Sequence, residues 1–560
     1  AAWRTFGETP SMIELYSELL IPFPWAKYDQ SAIPDFTYGG MENVSATTQT
    51  DLALHSAGDE PEANGRGLVA HELAHQWFGD LITTADWAEA WLNEGMATYM
   101  ESVEAEKTRG RDAAELEWIG QQRQAMAADL RQQRPLVWGE YQGTDPIQLF
   151  FSGHVYPKGA QLAHQLRRLL GDSLFWAGLR RFLTEDAYKP VTTADYAVAF
   201  EETCGCDLDW FFDQWAYGIG YPKVHWTRRW DAGAGALELT VEQTQPVDSL
   251  HPLFRFPVTV RVITRDSVVR RQITITKARE TFAIALPGEP LSVRFDEGGW
   301  LLGQVTSDLT PPELAAMAEH DLDFSARDWA LEQLAGSADT AAVAARRFMV
   351  LNEHDAALRR MALAQMSHDT TAEGLSIVRS ALRDPDDGVR TQALRVLRQL
   401  DASAAAALAR GLYEGDPSTS VRTAALGILG AHPGADVVPL LIAATGAGQP
   451  LGLRFNAAVA LARVHSPEAA EAIEKLTAPD EDRNVRAAAL RLLVQQGDTA
   501  RARALAERLI DDPDPLFAAA AVQTYAQVGG AAARSRLEAR LPTEQRVRVR
   551  AAIQTALHMH

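Results

Sequence analysis

The sequence predicts a multi-domain α+β protein in three consecutive parts: a mixed segment over residues 1–220, a small antiparallel β-sandwich over 221–307, and a HEAT-like α-solenoid over 308–560. Three observations carry this. The first segment holds 10 of the 14 tryptophans and mixes short strand-like runs with long helical ones. From about residue 221 the hydrophobic period switches to two. Beyond Asp308 an Ala-rich sequence repeats in steps of 31 or 32 residues. A length of 560 residues suits three or four domains at roughly 150 residues each.

Taken in order, Ala1-Ala2-Trp3 runs almost directly into a helical pattern from Ser11 to Leu20. With neither a starting Met nor a signal peptide, the chain reads as part of a longer precursor. Its compartment, cytoplasmic or exported, is therefore not legible. In the middle part Leu237, Leu239 and Val241 alternate with Glu238, Thr240 and Glu242, and Val258, Val260 and Val262 repeat the pattern. Short alternating runs between turn residues indicate antiparallel sheet. The stretch Asp308 to Pro312 closes that segment. In the last part a hydrophobic-Arg pair recurs as Leu358-Arg359, Val389-Arg390, Val421-Arg422, Leu453-Arg454 and Val485-Arg486. A helix pair of this kind cannot bury its apolar face alone, so neighbours must stack into a solenoid. The repeated Arg is expected to bond the loop or acid of an adjacent repeat.

Composition narrows the function. Hydrophobic residues make up 46% of the chain and charged residues 23%, an ordinary soluble globular mixture. The formal net charge of −21 argues against nucleic acid, which needs a basic surface, and suits amine-bearing ligands. No apolar run approaches the roughly 20 residues of a membrane helix. The two cysteines, Cys204 and Cys206, are too close to staple distant parts of a fold and read as two incidental thiols.

The chemistry is concentrated in Gly67-Leu-Val-Ala-His71-Glu72-Leu-Ala-His75-Gln-Trp-Phe-Gly79, which reads as a buried helix ended by Gly79. His71 and His75 are four residues apart, so their imidazoles leave one face a turn from each other. So placed they can chelate Zn²⁺, with Glu72 beside them to take a proton from water. By chance alone such a pattern arises in about two or three of every hundred chains of this length. A third ligand candidate is Glu94, in Trp91-Leu-Asn-Glu94-Gly, with 18 residues between His75 and Glu94. That gap lets the chain return on a second helix. Two His and one Glu leave a fourth position open, the catalytic rather than the structural arrangement.

Four further places bear on the site. Glu101 lies seven residues after Glu94 on the same helical face. It is a candidate acceptor for the second N–H of a liganding imidazole, with a solvated surface Glu as the alternative. Asp80 competes for the same role. In Tyr38-Gly39-Gly40-Met41-Glu42-Asn43, after the extended stretch Ser31 to Phe36, paired glycines allow close backbone approach to a ligand. Glu42 beside them can bind an ammonium group, although composition alone reads as a turn with an incidental acid. Finally, Tyr156-Pro157-Lys158-Gly159-Ala160 opens a helix with Pro157 suited to its first position. Tyr156 there is either a packed core residue or a donor to an oxyanion.

The set Gly-Gly-Met-Glu-Asn, His-Glu-x-x-His, Trp-Leu-Asn-Glu-Gly and Tyr-x-Lys-Gly-Ala, in that order, resembles the gluzincin aminopeptidases, the aminopeptidase N family that also includes leukotriene hydrolase. The resemblance implies a thermolysin-like catalytic domain, then a β-sandwich, then a helical-repeat domain that closes over the active site. It implies one zinc ion held by His71, His75 and Glu94. Glu72 would be the general base, and Glu42 would hold a substrate's free α-amine beside Gly39, Gly40 and Met41. Tyr156 would stabilise the tetrahedral intermediate. Phe211 to Trp215 through Gly220-Tyr-Pro222 is similar to the family's junction with the sandwich. Two departures stand out. The family normally begins with a β-rich domain that this chain starts after, and the commoner motif is Gly-Ala-Met-Glu-Asn.

The expected activity is zinc-dependent removal of N-terminal residues from peptides. The rival is a catalytically inactive scaffold whose repeats bind protein partners. This chain keeps all three candidate ligands and Glu72, which disfavours it. Lipid-epoxide hydrolysis is a third reading, and the intervening sandwich argues against it.

Overall fold

The computed structural model describes residues 1–33, 36, 38–54, 65–144, 146–150, 152–431 and 436–558. Its contacts divide the chain into two compact units, Ala1–Ala362 and Leu363–His560.

In the first unit, helix Thr9–Leu19 packs on helix Arg66–Ala74, and the buried Tyr16 hydroxyl donates to the Met100 carbonyl at 2.9 Å. A three-stranded sheet follows. Strand Ala46–Thr50 lies at its centre, parallel to Asp29–Ile33 and antiparallel to the short edge strand Gly40–Met41. The sequence reading extended the first strand to Phe36, and Pro34 and Asp35 lie outside the described residues. Helix Arg66–Ala74 is buried on nearly every side, as its apolar sequence requires. It ends earlier than expected. His75 is already its C-terminal cap, and Gly79 sits beyond it at φ +129° in a tight turn that bonds back to Ile82. The return helix Trp91–Arg109 and the long helix Arg111–Arg131 complete the floor.

Residues His154–Lys158 form a single π-helical turn that runs into helix Gly159–Leu170. Pro157 lies inside that turn rather than at the first α-helical position, where the sequence had suggested it. The wider i to i+5 spacing is seen in the Gly159 N–H donating to the His154 carbonyl.

The two cysteines also depart from expectation, since Cys204 and Cys206 are joined in a disulfide. Helix Thr193–Cys204 ends at Gly205, whose left-handed conformation (φ +64°) turns the chain back so that the thiols meet. The bridge spans three residues and staples nothing distant.

The alternating segment builds two facing sheets. One has the order Arg279–Ala285, Ala236–Gln243, Lys223–Asp231, Gln304–Ser307, and the other Pro290–Arg294, Phe256–Thr264, Val268–Ile275. Leu237, Leu239 and Val241 point inward and are buried, as are Val258, Val260 and Val262. All pairings are antiparallel except that of the last strand, which runs parallel to Lys223–Asp231. Helices Pro311–His320, Phe324–Gln333 and Thr340–Asn352 belong by their contacts to this first unit. Arg123 on helix Arg111–Arg131 donates to Asp328 at 2.7 Å, and Glu115 accepts the Ser325 N–H at 3.1 Å.

The second unit is a stack of helix pairs. In three of the second helices the Arg near the start reaches an acid 26 or 27 residues on: Arg390 to Asp416, Arg454 to Glu481 and Arg486 to Asp512. Arg422 makes the corresponding reach to the Gln449 side chain. These bonds to the next repeat are the ones its regular recurrence suggested.

Candidate metal centre and active-site cleft

Each imidazole is oriented from behind. His71 donates Nδ1–H to Glu101 Oε1 at 2.8 Å, and His75 donates Nδ1–H to the Phe78 carbonyl at 2.8 Å. The tautomers follow, because a carboxylate and a carbonyl can only accept. Both Nε2 atoms are thereby turned toward one point. They lie 3.1 Å apart, and Glu94 Oε2 lies 3.3 Å from that of His71 and 3.1 Å from that of His75. The backbone accounts for this convergence: the histidines sit one turn apart at the end of Arg66–Ala74, and Glu94 lies in the first turn of Trp91–Arg109, which packs against it.

Two neutral imidazoles and a carboxylate at these distances bring three electron pairs together with no proton between them. A divalent cation suits that arrangement. Burial opposes charge on His75, but Glu94 outweighs it and raises the imidazole to about 9. His71 is likewise pushed up, its bonds to Glu101 and Glu94 overcoming burial. Burial would raise Glu94, and the two imidazoles hold it well below the usual carboxylate range instead. The donor set, two imidazole nitrogens and one carboxylate, fits Zn²⁺.

The cluster opens into a cleft of about 910 Å³ lined by Tyr38, Gly39, Gly40, Met41, Glu42, Glu72 and Tyr156 as well as the three converging residues. Glu72, next to His71 on the buried helix, is pushed up to about 7 by desolvation, an effect the two histidines only partly offset. Its carboxylate lies directly over Gly40. A methyl group there would come within 2.1 Å of Glu72 Oε1. The Tyr156 ring stacks on His71, with centroids 5.9 Å apart and planes at 23°, and its hydroxyl bonds Glu94. Burial and Glu94 together raise the phenol far above its ordinary value.

The two rivals for the position behind a histidine separate cleanly. Glu101 contacts His71. Asp80 instead accepts from the Gln76 side chain at 2.7 Å, and burial and Glu42 push its carboxyl up to about 7.

Several residues that line or support the cleft escaped the sequence reading. Gln76 is fully buried and ties the hairpin bearing Glu42 to the histidine turn, donating to the Glu42 carbonyl at 2.9 Å and accepting the Ser45 N–H at 2.8 Å. Its place right after His75 was the available signal. Trp87, 55% exposed, meets Phe150 edge to face at 5.3 Å, and both line the cleft with Asp86 and Asn93. Gly95 and Gly159 are in backbone contact, so a Cβ on Gly95 would lie 2.7 Å from the Gly159 Cα. That contact joins the Glu94 helix to the Tyr156 segment, and nothing in the local sequence announces it.

Residues 4–215 match the peptidase family M1 domain, and residues 409–491 and 471–558 match HEAT repeats. The chain is 34% identical over 227 residues to aminopeptidase N of Lactococcus lactis, covering 38% of this chain and 26% of that protein. It is 31% identical over 218 residues to aminopeptidase M1 of Arabidopsis thaliana, 38% and 25% of the two chains. To human endoplasmic reticulum aminopeptidase 1 it is 34% identical over 202 residues, 35% and 22%. The matched region thus spans about a quarter of each relative. Among solved structures, aminopeptidase A of Legionella pneumophila in complex with aspartic acid superposes with a TM-score of 0.66 at 15% identity, covering 99% of this chain and 74% of that one, a likeness of fold.

Proposed function

We propose, from a chain whose residues 4–215 belong to peptidase family M1, that this protein is a zinc-dependent aminopeptidase releasing the N-terminal residue of peptides. The observation that carries the proposal is the convergence of His71 Nε2, His75 Nε2 and Glu94 Oε2 within 3.3 Å, at the base of a cleft that also holds Glu72, Glu42 and Tyr156. In this reading residues 1–220 are the catalytic segment, 221–307 the sandwich and 308–560 the repeat domain.

His71, His75 and Glu94 hold one zinc ion, and Glu101 fixes the tautomer of His71. The ion when bound polarises the scissile carbonyl and makes water a nucleophile near neutral pH. Glu42, on the edge hairpin with Gly39, Gly40 and Met41, takes the free ammonium of the substrate in a charge-assisted contact, which sets cleavage one residue in. Glu72 accepts the proton of the attacking water and passes it to the leaving amine. Tyr156 donates its phenolic hydrogen bond to the developing oxyanion, a type of contact whose removal costs roughly 3–4 kcal/mol.

An aminoacyl reporter and its N-acetylated counterpart test the amine anchor. The free amine should be cleaved and the acetylated one ignored, and equal rates would make the protein an endopeptidase. Glu72→Gln should lower kcat by about 10²–10⁴ while zinc content stays at one per chain. A purified chain that binds no zinc at all would favour the scaffold reading instead.

A further inference from the structure

Tyr156 is held by a segment with an unusual foundation. Two residues before it, His154 is wholly buried and its Nε2–H donates to Asp129 Oδ1 at 2.9 Å. Two residues after it, Lys158 is 1% exposed and donates to Asp129 Oδ2 at 3.1 Å. Asp129 itself is 4% exposed, near the end of helix Arg111–Arg131. One carboxylate therefore grips both ends of the π-helical turn, taking His154 on Oδ1 and Lys158 on Oδ2, with Lys158 also 3.4 Å from Oδ1.

A lysine sealed inside a protein loses its hydration, and such burial is tolerated only with a well-placed counter-charge. Desolvation depresses the Lys158 ammonium, and Asp129 is the partner that opposes this. The surroundings fasten the turn further. Arg134 donates to Ser152 Oγ at 2.8 Å and to the Leu149 carbonyl at 3.1 Å, and Ser152 Oγ lies 3.2 Å from His154 Nδ1. On the opposite side, Gly159 meets Gly95, next to Glu94. None of these groups reaches the cleft. Within the turn the side chain that does is Tyr156.

We propose that Asp129 is a positioning residue for Tyr156: by clamping His154 and Lys158 it fixes the π-helical turn so that the phenol is aimed at the reacting carbonyl oxygen. A plain α-helical turn would rotate residue 156 away from that direction, and the buried ion pair is what holds the wider winding in place. This rests on the assignment of Tyr156 made above.

The test is Asp129→Asn in the full chain, assayed with alanyl p-nitroanilide. An amide removes the charge that offsets the buried Lys158 ammonium and puts an NH2 in place of one oxygen, so His154 and Lys158 are left to share a single neutral acceptor. The expected result is a kcat lower by about 10- to 100-fold with KM within about threefold. In a Tyr156→Phe background the same substitution should lower kcat no further, because the group it positions is gone. Equal losses in both backgrounds, or no loss in either, would overturn the proposal. Hydrogen exchange gives a readout independent of turnover. Asp129→Asn should speed exchange in peptides covering residues 152–160 and leave those covering 66–75 unchanged, whereas unchanged exchange in 152–160 counts against the clamp. Should Asp129→Asn not fold, Lys158→Gln carries the same two tests. A wild-type chain inactive on every aminoacyl reporter would sink the aminopeptidase reading, while the exchange comparison would still decide the clamp.

Discussion

At the scale of single residues, Gly40 controls the place of Glu72 through a missing methyl. The atoms a Cβ would meet, Oε1, Cδ and Cγ at 2.1 to 2.8 Å, all belong to the Glu72 side chain and none to backbone, so the contact is relieved by turning that side chain. Gly40→Ala, which restores the commoner form of the motif, is therefore expected to keep kcat within about tenfold and leave the melting temperature unchanged. Gly40→Val puts two more carbons on the same spot and should abolish turnover with the fold intact. If Ala and Val behave alike in steady-state kinetics and thermal melts, the close approach does not matter. Helical spacing alone puts His71 and His75 on one face, whereas Glu72 and Glu94 were legible from their places in the motifs, Glu94 on a second helix after an 18-residue gap. Gln76 and the Gly95–Gly159 contact were not legible. Glu42 and Ser45 lie 34 and 31 residues from Gln76, and Gly159 lies 64 from Gly95, so only packing brings them together.

At the scale of elements, the 32-residue period identified the helix pairs of the second unit, and the recurring Arg identified its bond to the next repeat. Arg486 is buried, reaches Asp512 at 2.6 Å, donates to the Thr477 carbonyl at 3.2 Å and lies 3.9 Å over the Phe517 ring. Arg486→Ala strands Asp512 and should cost about 3 kcal/mol in denaturant unfolding followed by circular dichroism. Arg501→Ala, at a partly exposed pair with Asp498, should cost less than about 1 kcal/mol, and comparable losses would refute the ladder's role. Element ends were read less well. Helix Arg66–Ala74 stops at His75 because that ring and the following backbone turn inward, and Pro157 is accommodated by π-winding held from helix Arg111–Arg131.

A pH effect belongs to the same scale. Glu115, on that helix, is pushed up to about 7 by burial and by Asp323, despite its bond to Arg111. Its folded value therefore lies above its unfolded value near 4.5. Between those two values the folded state holds the extra proton, so this group makes stability fall as pH rises from about 4.5 to 7. Glu115→Gln should flatten the slope of melting temperature against pH in that window. An unaltered slope would show that Arg111 keeps Glu115 ionised throughout.

At the scale of the molecule, the charge of −21 and the cleft share a sign. Glu42, Glu72, Asp86, Glu94 and Glu101 line the cleft, and among its described lining residues there is no Lys or Arg. Such a field attracts a peptide's ammonium end and is screened by salt. The value of kcat/KM on a free-amine substrate should fall roughly three- to tenfold between 0.02 and 0.5 M salt, mostly through KM. A flat salt profile would leave amine binding to short-range contact with Glu42 alone. Among the described residues no helix is long and apolar enough to cross a membrane.

What the amino-acid order determined by itself was whatever repeats locally: the helical face shared by the histidines, the strand alternation that builds the sandwich, and the register of the solenoid. Period and spacing are properties of a chain segment, and backbone geometry converts them directly into faces. The folded chain alone decided which second acid supports His71, that Cys204 and Cys206 are bridged, and that a buried carboxylate on one helix holds the turn bearing Tyr156 on another. Those outcomes depend on desolvation and on contacts between distant segments, which no local pattern encodes.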